Sequence, residues 1–140
     1  MPARRFVLDA SVAVEWFLPG GGPRGRYAEA ILERIGEGEL DPAVPDLWHY
    51  EIGSVLIAAK RDKRISAAKL RVAQNAIRRL GLVTFAIEID AAALIDLSRR
   101  YHLQGYDAVY FELARRLAAP IASVDGGIRT ACAIFGVEQV

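Results

Sequence analysis

Arg5-Phe6-Val7-Leu8-Asp9-Ala10-Ser11-Val12 joins a short apolar run to a carboxylate. Phe6, Val7 and Leu8 favour a strand buried on both faces, and the pattern from Ala10 to Phe17 turns helical. Asp9 therefore falls at the carboxyl end of a first strand, where open α/β sheets carry their chemistry. The same position is where an Asp caps a helix, and this stretch alone leaves both readings open.

Working outward, the first helix stops near Leu18-Pro19, and Gly20 to Gly25 reads as a linker. It lacks the Lys-Ser/Thr ending of a phosphate-binding P-loop. Tyr27, Ala30, Ile31 and Arg34-Ile35 mark a second helix closed by Gly36 and Gly38, and Ala43 to Pro45 is a minimal strand. Asp46 caps an apolar helix from Leu47 to about Arg61, and Ser66 caps another running to Arg79-Leu80-Gly81. Leu82 to Ile89 reads as a strand, and Asp90 caps a helix to about Tyr101. Tyr106-Asp107 opens a helix that ends near Ala119-Pro120. Ile121 to Val124 is a short buried strand, Gly126 to Phe135 a last helix, and Val137 to Val140 an edge strand. Apolar strands alternating with helices imply an α/β chain whose mostly parallel sheet is covered on both faces. At 140 residues the expectation is one domain over 1–140.

Composition removes several function classes. One cysteine, Cys132, and two separated histidines, His49 and His102, offer neither a disulfide framework nor zinc-ligand spacing, which suits a reducing cytoplasm. No apolar run is long enough to span a bilayer, and Asp9 and Glu15 interrupt the one near the N-terminus, so no membrane role or signal peptide is expected. Eighteen Lys and Arg against 17 Asp and Glu leave a net charge of +1, so any nucleic-acid binding must rest on a local feature.

Four acids form that feature. Asp9 and Asp125 both fall where a strand hands over to a helix, and if their strands are neighbours the two carboxylates meet at a switch point of the sheet. Glu51 lies within its helix, where capping does not apply. Steps of three and four residues from it reach Leu47, Trp48, Ser54, Val55 and Ala58, so it projects from a largely apolar face. A charge there needs a partner, either an Arg or a metal. Asp107 and Asp125 can each be read as helix caps or as site acids. A converging set of carboxylates without His or Cys suits a hard cation, Mg²⁺ or Mn²⁺, of the kind that activates water for phosphodiester chemistry. Two other acid-site folds fit less well. A haloacid dehalogenase-type phosphatase needs an Asp where Ser11 stands, and a receiver domain needs a late Lys, yet none follows Lys69.

Phe6-Val7-Leu8-Asp9-Ala10-Ser11, Pro45 to Ile52, Tyr106 to Ala114, and Ser123-Val124-Asp125 with Ile128 occur in the order and spacing of a known family. The sequence resembles PIN-domain proteins, specifically the short kind represented by VapC toxins of toxin–antitoxin pairs. Ser123 stands where Thr is commoner, and Gly126-Gly127 replaces a turn that is often more polar. The resemblance implies a three-layer α/β/α sandwich in which Asp9, Glu51, Asp107 and Asp125 gather around Mg²⁺ or Mn²⁺. Ser11 and Ser123 are expected to fix the Asp9 carboxylate by hydrogen bonds. It further implies an Mg²⁺/Mn²⁺-dependent ribonuclease that uses an activated water, a small VapB-like antitoxin partner, and a homodimer. The alternative is a non-catalytic module of the same fold that binds a protein or RNA. Arg78-Arg79, Arg99-Arg100 and Arg115-Arg116 are expected near helix C-termini, where cations meet the dipole. Trp16, Phe17, Trp48 and Tyr50 read as core or interface residues, and Glu15 and Glu112 as solvated or salt-bridged ones.

Overall fold

The computed structural model describes residues 2–140. Strand β1 (Arg4–Leu8) leads into α1 (Ala10–Phe17) and α2 (Gly22–Gly36); β2 (Leu40–Pro45) leads into α3 (Leu47–Arg61) and α4 (Ala67–Arg79). The second half runs β3 (Val83–Phe85), α5 (Ala91–Tyr101), α6 (Gly105–Leu117), β4 (Ile121–Ala122) and α7 (Gly126–Phe135). The four strands lie in the order β3-β2-β1-β4, and every pairing is parallel. Phe6, Val7 and Leu8 are all fully buried. Since alternate strand residues face opposite sides, helices must cover both faces of the sheet, as the apolar run requires. This is the expected α/β architecture.

The strands differ from their sequence boundaries for local reasons. β2 starts earlier, at Leu40, because Leu40 and Asp41 lie opposite Arg4 and Arg5, and the Arg5 guanidinium pairs with Asp41 at 2.8 Å. β3 is three residues rather than eight. Its neighbour β2 ends at Pro45, and the chain past Phe85 bends over the start of α3, where the Asp46 carboxylate accepts from the Leu47 and Ile87 amides. β4 stops at Ala122 because β1 stops at Leu8, its register partner. The expected edge strand over 137–140 reduces to a single bridge between Ile121 and Gln139. The glycine linker is shorter than expected, since α2 begins at Gly22 with Pro23 in its first turn, a position where the missing amide hydrogen costs nothing.

The core centres on Phe6, Trp48, Ile52, Phe111, Ile121 and Ile128, all essentially inaccessible. Each such side chain contributes roughly 1.5–3 kcal/mol of burial. Tyr101, Phe111 and Phe135 meet edge to face at 4.8–6.0 Å between centroids, which ties α5, α6 and α7 together. Among the described residues no helix is long and apolar enough to cross a membrane.

Candidate active site

Pairing of Leu8 with Ala122 brings the carboxyl ends of β1 and β4 side by side. Asp9 follows one and Ser123 the other. Asp9 holds the N-cap position of α1, yet its side chain caps nothing. Its Oδ2 instead accepts hydrogen bonds from the Ser11 hydroxyl and, at 2.8 Å, from the Ser123 hydroxyl. Both hydroxyls are held in turn, because Ser11 Oγ accepts from the Val124 amide at 3.1 Å and Ser123 Oγ from the Asp125 amide at 3.0 Å. With its proton given to Asp9 and a lone pair given to an amide, each serine has one hydroxyl orientation available. Asp9, only 3 % exposed, is thereby locked in place.

The other acids come from three helices. Glu51, on α3, accepts from the Tyr110 phenol at 2.7 Å, so a Tyr rather than an Arg meets this carboxylate. Asp107 lies in the first turn of α6 without capping it, since Gln104 holds the N-cap position. It sits three residues before Tyr110, so the two project from neighbouring positions on that helix. Asp125 does cap α7, with Oδ2 accepting from the Ile128 amide at 2.9 Å. The capping reading of Asp125 is correct and does not remove it from the cleft. Asp9, Glu51, Asp107 and Asp125 all line one cavity of about 220 Å³, with Val14, Ile52 and Val55 among its apolar walls.

No Lys or Arg is salt-bridged to any of these four acids among the described residues. The electrostatics follow from that. Burial, then repulsion from Asp125, Asp9 and Glu51, pushes Asp107 up to about 6. Asp9 is raised chiefly by burial, against the pull of its two serine hydroxyls. Glu51 is raised by burial, against the Tyr110 hydrogen bond, and the same Tyr110 phenol is pushed far above its ordinary value by burial and by the Glu51 carboxylate. The donor set is oxygen only, which fits a hard divalent cation that retains waters. No three of the described Asp, Glu, His or Cys groups stand in a ready-made coordination shell.

The remaining sequence candidates lie elsewhere. Glu112 accepts from the Tyr101 phenol at 2.6 Å and neighbours Arg116, while Glu15 accepts from the Gly20 amide. The three arginine pairs occupy the last turns of α4, α5 and α6. Trp48 is wholly buried, and the Trp16 indole donates to the Ala28 carbonyl at 2.7 Å. Tyr110 is the residue that sequence reasoning missed at the site. Its spacing from Asp107 on one helix was the available signal.

The model of the PIN domain family matches residues 6–133. Solved structures that share the fold include two of known source. One is the crystal structure of PAE2754 from Pyrobaculum aerophilum, at TM-score 0.65 and 16 % identity over 92 % of this chain and 79 % of that one. The other is a chain of a toxin–antitoxin complex from Klebsiella pneumoniae, at TM-score 0.57 and 18 % identity over 86 % of each chain. No curated protein matches the sequence. PIN domains are generally nucleases. With all but a few residues at either end inside the family match, this chain belongs to the PIN-domain family.

Proposed function

We propose that the chain is a metal-dependent endoribonuclease and the toxin of a VapC-type toxin–antitoxin pair, with residues 1–140 acting as one catalytic domain. The observation that carries this reading is the gathering of four carboxylates without basic partners, from four separate segments, along one cleft. Such a cluster destabilises the metal-free protein and has a purpose only where a cation neutralises it.

In this reading Asp9, Asp107 and Asp125 hold Mg²⁺, or Mn²⁺ in its place, and Glu51 completes the set or orients the attacking water. The bound ion supplies positive charge for the phosphate oxygens and lowers the pKa of a water molecule. The protein does the rest by position. Ser11 and Ser123 keep Asp9 in one orientation, and Tyr110 holds one oxygen of Glu51, leaving the other to accept a proton from water. The new bond joins the water oxygen to phosphorus, and the bond to the 3′-oxygen breaks. That oxygen leaves with a proton, giving a 3′-hydroxyl and a 5′-phosphate.

The fold likeness to a chain of a toxin–antitoxin complex supports a small antitoxin as partner, and family resemblance supports a homodimer acting in the cytoplasm. The test is cleavage of mixed cellular RNA by purified protein in Mg²⁺ or Mn²⁺, against EDTA and against Asp107→Asn prepared identically. Discrete, metal-dependent fragments from the wild type alone support the reading. Absence of cleavage by folded, cation-binding protein favours a non-catalytic module, and equal cleavage by both proteins removes the proposed site from the reaction.

A further inference from the structure

The acid cleft cannot by itself retain a polyanion, and most arginines of the chain are already engaged. Arg4, Arg5, Arg34, Arg61, Arg100 and Arg116 approach carboxylates. Arg115 and Arg129 lie over aromatic rings. Arg24, Arg26 and Arg99 make no such contact among the described residues, and the other free cations concentrate in one region. All three lysines of the chain, Lys60, Lys63 and Lys69, fall within ten residues of one another, and residues 63–87 carry six Lys or Arg and no Asp or Glu. Lys60, Lys63, Arg64 and Lys69 line a single cavity of about 440 Å³ at the turn between α3 and α4, all of them exposed and none paired among the described residues.

The fold explains why this charge points outward. Ala73 is buried and Leu70, Ile77 and Leu80 pack against the core, so α4 is pinned by one face. Arg71 and Arg78, seven residues apart, form a stripe on the opposite face. Ser66 caps α4 at the centre of the lysine cluster, accepting from the Lys69 amide at 3.1 Å, so the positive end of the helix dipole adds to the side-chain charge. The cluster and the cleft share a helix. Glu51 and Lys60 are nine residues apart on α3, about 13–14 Å of rise and half a turn around the axis, a separation that a single strand of several nucleotides spans.

We infer that the α3–α4 turn and the outer face of α4 are the docking track for the phosphate backbone of single-stranded RNA, a few nucleotides from the bond cut in the acid cleft. The inference rests on the ribonuclease reading for its ligand. The track fixes the strand by charge alone, so it is indifferent to base sequence.

The test is fluorescence anisotropy of a labelled 15-nucleotide oligouridylate with metal-free protein in EDTA, from 50 to 250 mM KCl. The triple variant Lys63→Asn, Arg64→Gln, Lys69→Gln removes three contacts. Asn is chosen at 63 because that residue has φ +59°. At a slope near 0.7 per phosphate for single strands, three lost contacts flatten the log K against log salt line by about two. The same loss weakens binding roughly 100-fold at 0.1 M salt. Arg4→Gln and Arg34→Gln, which remove cations already paired, should leave both quantities unchanged. An unchanged slope in the triple variant overturns the inference, as does wild-type protein that binds no oligouridylate. Unchanged RNA binding with loss of binding to poly-glutamate assigns the surface to an acidic protein instead. Failure here is separable from failure of the ribonuclease reading, because wild-type cleavage of RNA is scored independently of the salt slope.

Discussion

Replacing Asp107 by Asn should make the metal-free protein more stable, although Asp107 is one of the residues on which activity is proposed to depend. Its carboxyl, ordinarily near 3.8, is raised to about 6 by burial and by three neighbouring carboxylates. A folded-state pKa above the unfolded one means that the native protein holds this proton between about pH 4 and 6, where the unfolded chain has released it. Stability from this group is therefore greatest below pH 4 and is lost as pH rises through 6. At neutral pH the charged group opposes folding by at most about 3 kcal/mol, and by about 1–1.5 kcal/mol once the solvent reaching this partly exposed side chain is allowed for. Asn keeps the shape and removes the charge. For a chain of this length that gain raises Tm by about 3–6 °C. Circular-dichroism melts in EDTA at pH 7.5 and pH 4.0 provide the assay. The gain should appear at pH 7.5 and shrink to less than half at pH 4.0, where the unfolded chain also holds much of this proton. A lower Tm for Asp107→Asn at pH 7.5, or an equal gain at both pH values, refutes the repulsion argument.

Three other perturbations read different parts of the structure. Ser123→Ala takes one hydroxyl from the buried Asp9 carboxylate and leaves the Asp125 amide without its acceptor, so urea unfolding should show a loss of about 1–3 kcal/mol, with Ser123→Thr retaining most of it. Tyr110→Phe removes the donor that favours charged Glu51, and the Glu51 pKa followed by carbon NMR in metal-free protein should rise. A Glu51 titration that does not move would show that the phenol is not its partner in solution. Phe111→Ala opens a cavity where α5, α6 and α7 meet and should cost about 3–5 kcal/mol in the same urea assay.

Much of this molecule is legible in its sequence, for reasons that differ by element. Phe6-Val7-Leu8 favoured a strand covered on both faces, and α3, α5 and α7 begin where Asp46, Asp90 and Asp125 place them, because a local cap sets a local boundary. Strand lengths were less legible. β3 and β4 are cut short by where their partners β2 and β1 end, and pairing across 40 or more positions leaves no mark on the shorter strand's own residues. The acids were legible through placement: Glu51 stood out as a carboxylate on an apolar helical face, and Asp9 and Asp125 as paired strand endings. Its partner Tyr110 was marked only by its three-residue spacing from Asp107, since nothing near residue 51 identifies a phenol contributed 59 positions later. Asp125 shows why capping and site readings need not compete, because one oxygen suffices for the cap.

The most direct measurement is isothermal titration of Mn²⁺ into metal-free wild-type protein and into Asp9→Asn. A cation site built on the four carboxylates requires saturable binding of one or two ions by the wild type, accompanied by proton release near pH 6 as Asp107 ionises, and affinity at least tenfold weaker in the variant. Equal binding by both proteins, or no saturable binding by the wild type, would contradict it.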